Sequence, residues 1–220
     1  MLVPNQNRKY SCADVLEWDE SVRAEIINGE LYMMAPPLTR HQLVLSELFF
    51  IIKRFLQDKP CKVIPAPFGV RLFPRDDLSD DTLVEPDITV VCDPDKIDDR
   101  GCNGAPDLII EILSPSNKRH DQLRKFNLYL DAGVREYWVV DSEQESIQVH
   151  VLSDPAIAGQ KVSGTPAASP VHGYRRYTTA VYALPREEEL PPALAKVEVA
   201  SVVPSSVLPG LNIDLRDVFG

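Results

Sequence analysis

Two carboxylates stand where structure alone does not call for them. Val84-Glu-Pro-Asp-Ile-Thr-Val-Val91 sets Asp87 at the head of an apolar strand, and Pro106-Asp-Leu-Ile-Ile-Glu-Ile-Leu113 sets Glu111 inside one. An ionised side chain within an apolar central strand costs on the order of several kcal/mol unless it is paired or bound to a metal. Strand alternation puts Asp107, Ile109, Glu111 and Leu113 on one face, where Glu111 meets an aspartate from a neighbouring strand. Two such carboxylates frame a hard divalent cation. Further along, Asp121, Lys125 and Tyr129 are spaced i, i+4, i+8 and share one helical face, so the lysine can lean over the carboxylate pair. In metal-assisted hydrolysis the cation activates water and polarises a phosphoryl oxygen, while an ammonium orients the nucleophile or steadies developing negative charge. The structural alternative pairs Lys125 with Asp121 on the surface and Glu111 with an arginine.

Positioning these groups needs a sheet and at least one helix, and the pattern supplies both. Ser11 and Asp14 before Val15 and Leu16 have the form of a capped short helix, Ser11 to Trp18. Val22 to Ile27 and Glu30 to Ala35 flank Asn28-Gly29, a pair suited to a two-residue hairpin turn. Thr39 to Gln57 carries Leu45, Leu48, Phe49, Ile52, Phe55 and Leu56 at three- and four-residue spacing, the first long helix. Strands follow at 61–65, 68–73, 84–92 and 107–113, interrupted by an acidic loop and by a Gly/Asn/Asp-rich loop at 93–105. A second helix runs from Ser114-Pro115-Ser116-Asn117 to Ala132 and stops at Gly133. Strands at 136–140, 146–152, 173–184 and 196–203 and a short terminal helix complete the chain. Strands and helices in this order predict an α/β, mixed α+β fold: one central mixed sheet flanked by helices, as a single 1–220 domain. The Ala, Gly, Ser and Pro content of 153–172 predicts an extended loop or insertion there.

Composition narrows the function classes. The formal charge is −10, and Pro74 to Arg100 alone holds ten acids against three bases, a net of −7. Such a balance argues against tight, sequence-independent DNA binding, which draws on basic side chains neutralising phosphates. It leaves a metal-assisted enzyme open, and Lys118, Arg119, Arg124 and Lys125 form one basic stretch. The start, MLVPNQNRKY and then polar SCADV, lacks the basic and apolar parts of a secretion signal, and no apolar run is long enough to span a membrane. A soluble, cytoplasmic protein is expected. Cys12, Cys61, Cys92 and Cys102 form no CxxC pair, which predicts reduced, mostly buried thiols.

Taken together, RAEIINGELYMM from Arg23 to Met34, His41, Glu85-Pro86-Asp87, GAPDLIIEILSPS from Gly104 to Ser116, Asp121 with Lys125 and Tyr129, and GVREYWVVD from Gly133 to Asp141 resemble the Uma-two family. That family is grouped with restriction endonucleases in the PD-(D/E)XK nuclease superfamily. The resemblance spans about Tyr10 to Leu152, and Leu208-Pro-Gly-Leu211 resembles the family's C-terminal end. It implies a restriction-endonuclease-like core with an N-terminal β-hairpin that cuts DNA with Mg²⁺, or Mn²⁺ in its place. By that analogy Asp87 and Glu111 are the metal ligands and Lys125 the catalytic lysine. The superfamily's usual lysine, two residues after the acid, is replaced here by Leu113; a long side chain delivers its charge equally well from the next helix. Glu25 and Glu30 bracket the hairpin turn and one of them can add to the metal site, the alternative being ordinary surface carboxylates beside a turn; His41, Glu30, Asp121 and Tyr129 are the accessory candidates.

Cutting both strands of a duplex is most simply done by two symmetric sites, so a homodimer is expected. The alternative function is a catalytically inactive nucleic-acid-binding or protein-interaction module on a nuclease scaffold. A two-carboxylate glycosidase leaves Lys125 without a purpose.

Overall fold

Short strands dominate the chain because Pro, Gly and acidic turns interrupt nearly every apolar run. The computed structural model describes residues 8–19, 22–114, 119–152, 177–184 and 200–220, without the side chains of 119–121. In order these form α1 (Cys12–Val15), β1 (Ala24–Ile27), β2 (Glu30–Met33), α2 (Thr39–Phe55), β3 (Lys62–Pro65), β4 (Val70–Arg71), β5 (Leu83–Val84) and β6 (Ile88–Val91). A 3-10 turn (Pro94–Lys96) precedes β7 (Ile97–Asp98), β8 (Gly101–Asn103), β9 (Leu108–Ile112) and α3 (Arg119–Ala132). Last come β10 (Glu136–Asp141), β11 (Ser146–Leu152), β12 (Tyr177–Ala183), β13 (Val202–Pro204), β14 (Asn212–Asp214) and α4 (Arg216–Phe219).

The main sheet has the order β12-β11-β10-β9-β6-β3. It is mixed: β9 and β10 run parallel, with α3 as the crossover between them, and the other pairs are antiparallel. Alternation along β9 divides its side chains between two cores. Leu108, Ile110 and Ile112, with Ile88, Val90, Trp138 and Val140, pack against Val44, Leu48 and Ile52 of α2 and against Ile213 and Val218 near the C-terminus. On the opposite face Ile109, Tyr137 and Val139 meet Leu128 and Tyr129 of α3 and then Ile27, Val70 and Val84 of other strands. Each fully buried Leu, Ile or Val contributes about 1.5–3 kcal/mol, so both faces are firmly held.

Those other strands form a second sheet, β2-β1-β5-β4-β8-β7, which the single-sheet expectation did not contain. Its origin is Pro86. The run read as one strand, 84–92, splits there because proline has no N–H to continue a ladder; β5 joins the second sheet and β6 the main one. Residues 93–105, read as a loop, contain β7 and β8, too short to leave a periodic signature. At Gly101 (φ 138°) an added Cβ would lie 2.0 Å from the Gly69 carbonyl oxygen, so only glycine lets β8 approach the segment leading into β4.

Asn28 and Gly29 take φ of 52° and 77° and close the β1-β2 hairpin with Ile27 opposite Glu30. The first short helix contracts to α1, whose cap is Ser11, with its N–H and Oγ donating to Asp14 Oδ2 at 2.8 and 3.0 Å. Cys12 and Cys102 are free and buried, but Cys61 and Cys92 are joined in a disulfide, against the expectation of reduced thiols. Spacing could not reveal that pair, because continuing the Lys62–Val91 register brings the two cysteines opposite each other only once the strands have folded. The proposed insertion at 153–172 lies outside the described residues. Among the described residues no helix is long and apolar enough to cross a membrane.

Candidate active site

Register brings the first two groups together. Ile88 pairs with Ile110 across the antiparallel β6-β9 ladder, so the next step places Asp87 opposite Glu111, with both side chains on one face. Asp87 Oδ2 accepts a hydrogen bond from the Ile112 N–H at 2.7 Å and lies 3.2 Å from His41 Nε2, which reaches it from the first turns of α2. Helical spacing brings the next two. Lys125 and Tyr129, one turn apart on α3, both donate to Glu111 Oε1, at 2.9 and 2.5 Å. The second sheet adds a further carboxylate: Lys125 Nζ also donates to Glu25 Oε1 at 2.9 Å. That oxygen accepts from the Glu85 N–H at 3.1 Å as well, so the chain between β5 and β6 ties the two sheets beside the site. Just outside, Arg23 pairs with the Glu85 carboxylate at 3.0 Å.

The cluster is buried: Glu25 is 5%, Glu111 7% and Lys125 8% exposed, and Tyr129 has no exposed surface. Burial together with its carboxylate neighbours decides the electrostatics. Loss of solvent pushes the Glu111 carboxyl up to about 7; Lys125 opposes this, Asp87 and Glu25 reinforce it, and the Tyr129 hydrogen bond opposes it. For Lys125 burial favours the neutral amine, but Glu111 and Glu25 outweigh it and hold the ammonium charged well above its ordinary value. Burial and Glu111 likewise raise the Tyr129 phenol, which remains a donor. His41 is raised despite its burial, through its hydrogen bond to Asp87. The cluster thus holds more negative charge than its one lysine neutralises.

Of the residues singled out from sequence, Asp87, Glu111, Lys125, Tyr129 and His41 come together. Lys125 turns inward to Glu25 and Glu111 rather than pairing on the surface, and Glu111 is met by Lys125 and Tyr129 rather than by an arginine. Glu30 does not join them. It sits on β2, at the edge of the second sheet, where its exposed carboxylate accepts from Lys9 Nζ at 3.2 Å and the Tyr32 hydroxyl at 2.8 Å. Asp121 lies on α3, but its side chain is outside the described residues. Tyr137 and Trp138 are core residues. Of the two acids that bracket the turn, either of which could add to the site on sequence grounds, Glu25 is the one that reaches it. Its signal was the same as that of Glu111, one acid in an apolar strand, here Ala-Glu-Ile-Ile.

Among the described residues no group of three or more His, Cys, Asp and Glu side chains forms a metal-holding cage. The pair of carboxylates nevertheless suits Mg²⁺, which keeps several waters and takes one or two carboxylates together with substrate phosphates. One oxygen of each is engaged, Asp87 Oδ2 and Glu111 Oε1, while no hydrogen bond from the described residues reaches the other. Hard oxygen donors with surplus negative charge fit a hard divalent cation.

Comparison with known proteins shows what the chain is similar to. Residues 12–216 match the Uma2 family, described as putative restriction endonuclease. An uncharacterized protein of Synechocystis sp. is 25% identical over 149 residues, which are 66% of this chain and 76% of that protein. The crystal structure of a putative nuclease belonging to DUF820 from Anabaena variabilis superposes with a TM-score of 0.64 at 18% identity, covering 96% of this chain and 97% of the other. That last likeness establishes the shared mixed α/β fold.

Proposed function

For a chain that belongs to the Uma2 family of putative restriction endonucleases, we propose an endonuclease that hydrolyses DNA phosphodiester bonds with a divalent cation, Mg²⁺ or Mn²⁺, held by Asp87 and Glu111. The observation that carries this reading is the pair formed by half-buried Asp87 and buried Glu111, with Lys125 against Glu111. When bound, the cation supplies Lewis acidity and lowers the pKa of a coordinated water.

The protein's own groups do the rest. The Ile112 N–H and His41 fix the Asp87 carboxylate, and Lys125 with Tyr129 fixes that of Glu111, so neither has to reorganise as charge develops. The Lys125 ammonium lies where it can stabilise negative charge on a transferring phosphoryl group, an effect worth on the order of 10²–10³-fold in rate when donors are preorganised. Arg124, next to Lys125 on α3, adds positive charge for an incoming backbone. A homodimer completes the reading, since a duplex presents two strands of related geometry.

The experiment is cleavage of labelled single-stranded, double-stranded and branched DNA, with Mg²⁺ and with Mn²⁺, by the wild type beside Glu111→Gln and Asp87→Asn. Cleavage by the wild type and its loss in both variants, with the fold retained, supports the reading. The enclosure of Lys125 between two carboxylates favours a second one, an inactive binding module on a nuclease scaffold. DNA binding without cleavage under any of these conditions would select it.

A further inference from the structure

We infer that Glu25 is a positioning residue whose charge keeps Lys125 from neutralising the cation-binding pair, so that Asp87 and Glu111 together can take a divalent ion. This rests on the endonuclease reading and adds to it a residue from the second sheet. The juxtaposition behind it is that a single ammonium, Lys125 Nζ, lies 2.9 Å from Glu25 Oε1 and 2.9 Å from Glu111 Oε1.

Consider the charges that face one another. Glu25, Asp87 and Glu111 supply three carboxylates against one ammonium, so in the cation-binding form, with Glu111 deprotonated and His41 neutral, the cluster comes to −2, the charge one divalent cation cancels. Arg23 and Glu85 pair with each other just outside and cancel. Without the Glu25 charge, Lys125 would belong to Glu111 alone and the cluster would stand at −1. Inside a protein, where charges interact several times more strongly than in water, that missing charge is felt directly by a cation.

Geometry makes Glu25 suited to this. It projects from β1, an interior strand of its sheet, and its carboxylate is anchored by the Glu85 N–H, so it cannot follow the lysine. When a cation draws on Glu111, Lys125 retains a fixed anionic partner and stays beside the reacting centre. Glu30, five residues on, lacks both burial and contact with α3 residues in the site, which is why one acid of the hairpin serves and the other does not.

The test is a charge cycle read by calorimetric titration of Mn²⁺ into wild type, Glu25→Gln, Lys125→Met, the double variant and Glu111→Gln, with cleavage measured alongside. Gln at 25 keeps a carbonyl oxygen for both Lys125 and the Glu85 N–H, so the fold has little reason to change. Glu25→Gln should bind Mn²⁺ about tenfold more weakly. Lys125→Met should bind it at least as tightly as the wild type. The double variant, back at −2, should recover to within about threefold of the wild-type affinity while still failing to cleave, a recovery that a merely structural role for Glu25 would not produce. Wild-type affinity in Glu25→Gln, or a double variant as weak as Glu25→Gln, would overturn the inference. If Glu111→Gln abolishes binding in that case, the endonuclease reading survives without it. If the wild type itself takes up no Mn²⁺, both fall.

Discussion

Glu111 and Glu136 are both buried carboxylates on adjacent parallel strands, three residues apart in register, and they face opposite sides of the main sheet. On the side of α2 and the C-terminus, both oxygens of Glu136 are occupied by neutral donors. Oε1 accepts from Trp138 Nε1 at 2.6 Å, and Oε2 accepts from the N–H groups of Ser206 and Val207 at 2.8 and 2.9 Å and from Ser205 Oγ at 3.2 Å. Most of these donors belong to one connection, and the carboxylate fastens that connection to the sheet. On the α3 side, Glu111 uses one oxygen, for a lysine and a tyrosine, and shares its lysine with another acid. A charge in a core therefore signals only that something holds it. Glu136 has both oxygens taken by neutral donors and fastens a connection, whereas Glu111 keeps one oxygen that no described residue reaches, which is what the proposed cation site needs.

The largest effect that separates the two should come from Glu111→Gln. Its amide oxygen can still accept from Lys125 and Tyr129, so thermal stability should change little, while on the endonuclease reading cleavage should fall by about 10³-fold or more, the cost of removing a charge from the proposed cation site. A scanning calorimetry trace beside the cleavage assay checks both halves. A variant that melts far below the wild type would make Glu111 a fastening residue like Glu136.

Glu136→Gln should do the reverse. A Gln offers one oxygen where two accept, so whichever way the amide turns, its NH₂ faces an N–H donor. The expected cost is about 3 kcal/mol, or roughly 6–12 °C in melting temperature for a chain of this size. Below that transition, cleavage per folded molecule should match the wild type. Reduced cleavage in the folded variant would show that the C-terminal connection reaches the site and that the two sides of the sheet are not independent.

Much of the site on the α3 side was legible in sequence because it is encoded by spacing. Glu111 stands out in Leu-Ile-Ile-Glu-Ile, and Lys125 and Tyr129 are four apart on one helix. The hairpin was legible for a similar reason, since Asn28-Gly29 constrains the turn locally. Contacts between elements were not. The second sheet depends on the break at Pro86 and on strands of two or three residues, and the Cys61–Cys92 pairing depends on the β3-β6 register. Glu136 escaped notice because it opens its strand, where an acid is ordinary, and its donors arrive from residues about seventy positions later. Sequence favours Glu30 over Glu25 as the accessory acid, and the structure reverses this, because only the order of strands in the sheet makes one interior and the other an edge.

Asp80 provides a third case, held by charge but away from the site. Arg71 Nε donates to its Oδ2 at 2.9 Å and Arg71 Nη2 to its Oδ1, with the Arg75 N–H adding a bond at 3.2 Å. Burial alone would raise the Asp80 carboxyl, but Arg71, Cys12 and the Arg75 N–H outweigh it and hold it below the usual value. A depressed carboxylate stabilises the fold above its unfolded value, about 3.9, and that stabilisation is lost as pH falls through the lower folded value. Asp80→Asn should therefore cost about 1–2 kcal/mol at neutral pH and show a shallower loss of stability below about pH 4. Urea melts at pH 7 and pH 3 measure this. A difference that does not narrow in acid would mean that packing, not the charge on Asp80, holds the Arg71 corner.

The smallest effect should come from Glu30→Gln, and it tests the distinction from its other end. Glu30 lies in a stretch that resembles the family and stands five residues from Glu25, so sequence position alone would give it a similar role. Its carboxylate is nonetheless exposed on an edge strand, with Lys9 and Tyr32 as partners, and an exposed pair of this kind contributes little against solvent screening. Its carboxyl is lowered chiefly by the Tyr32 and Lys9 hydrogen bonds, which is a local effect at the turn. Cleavage rate, Mn²⁺ affinity and melting temperature of Glu30→Gln should all coincide with the wild type within error. A tenfold loss of cleavage with unchanged Mn²⁺ affinity would instead mean that the hairpin tip touches substrate directly. Exposure on an edge would then no longer separate the fastening acids from the working ones, and the two-sheet geometry that selects Glu25 over Glu30 would lose its force.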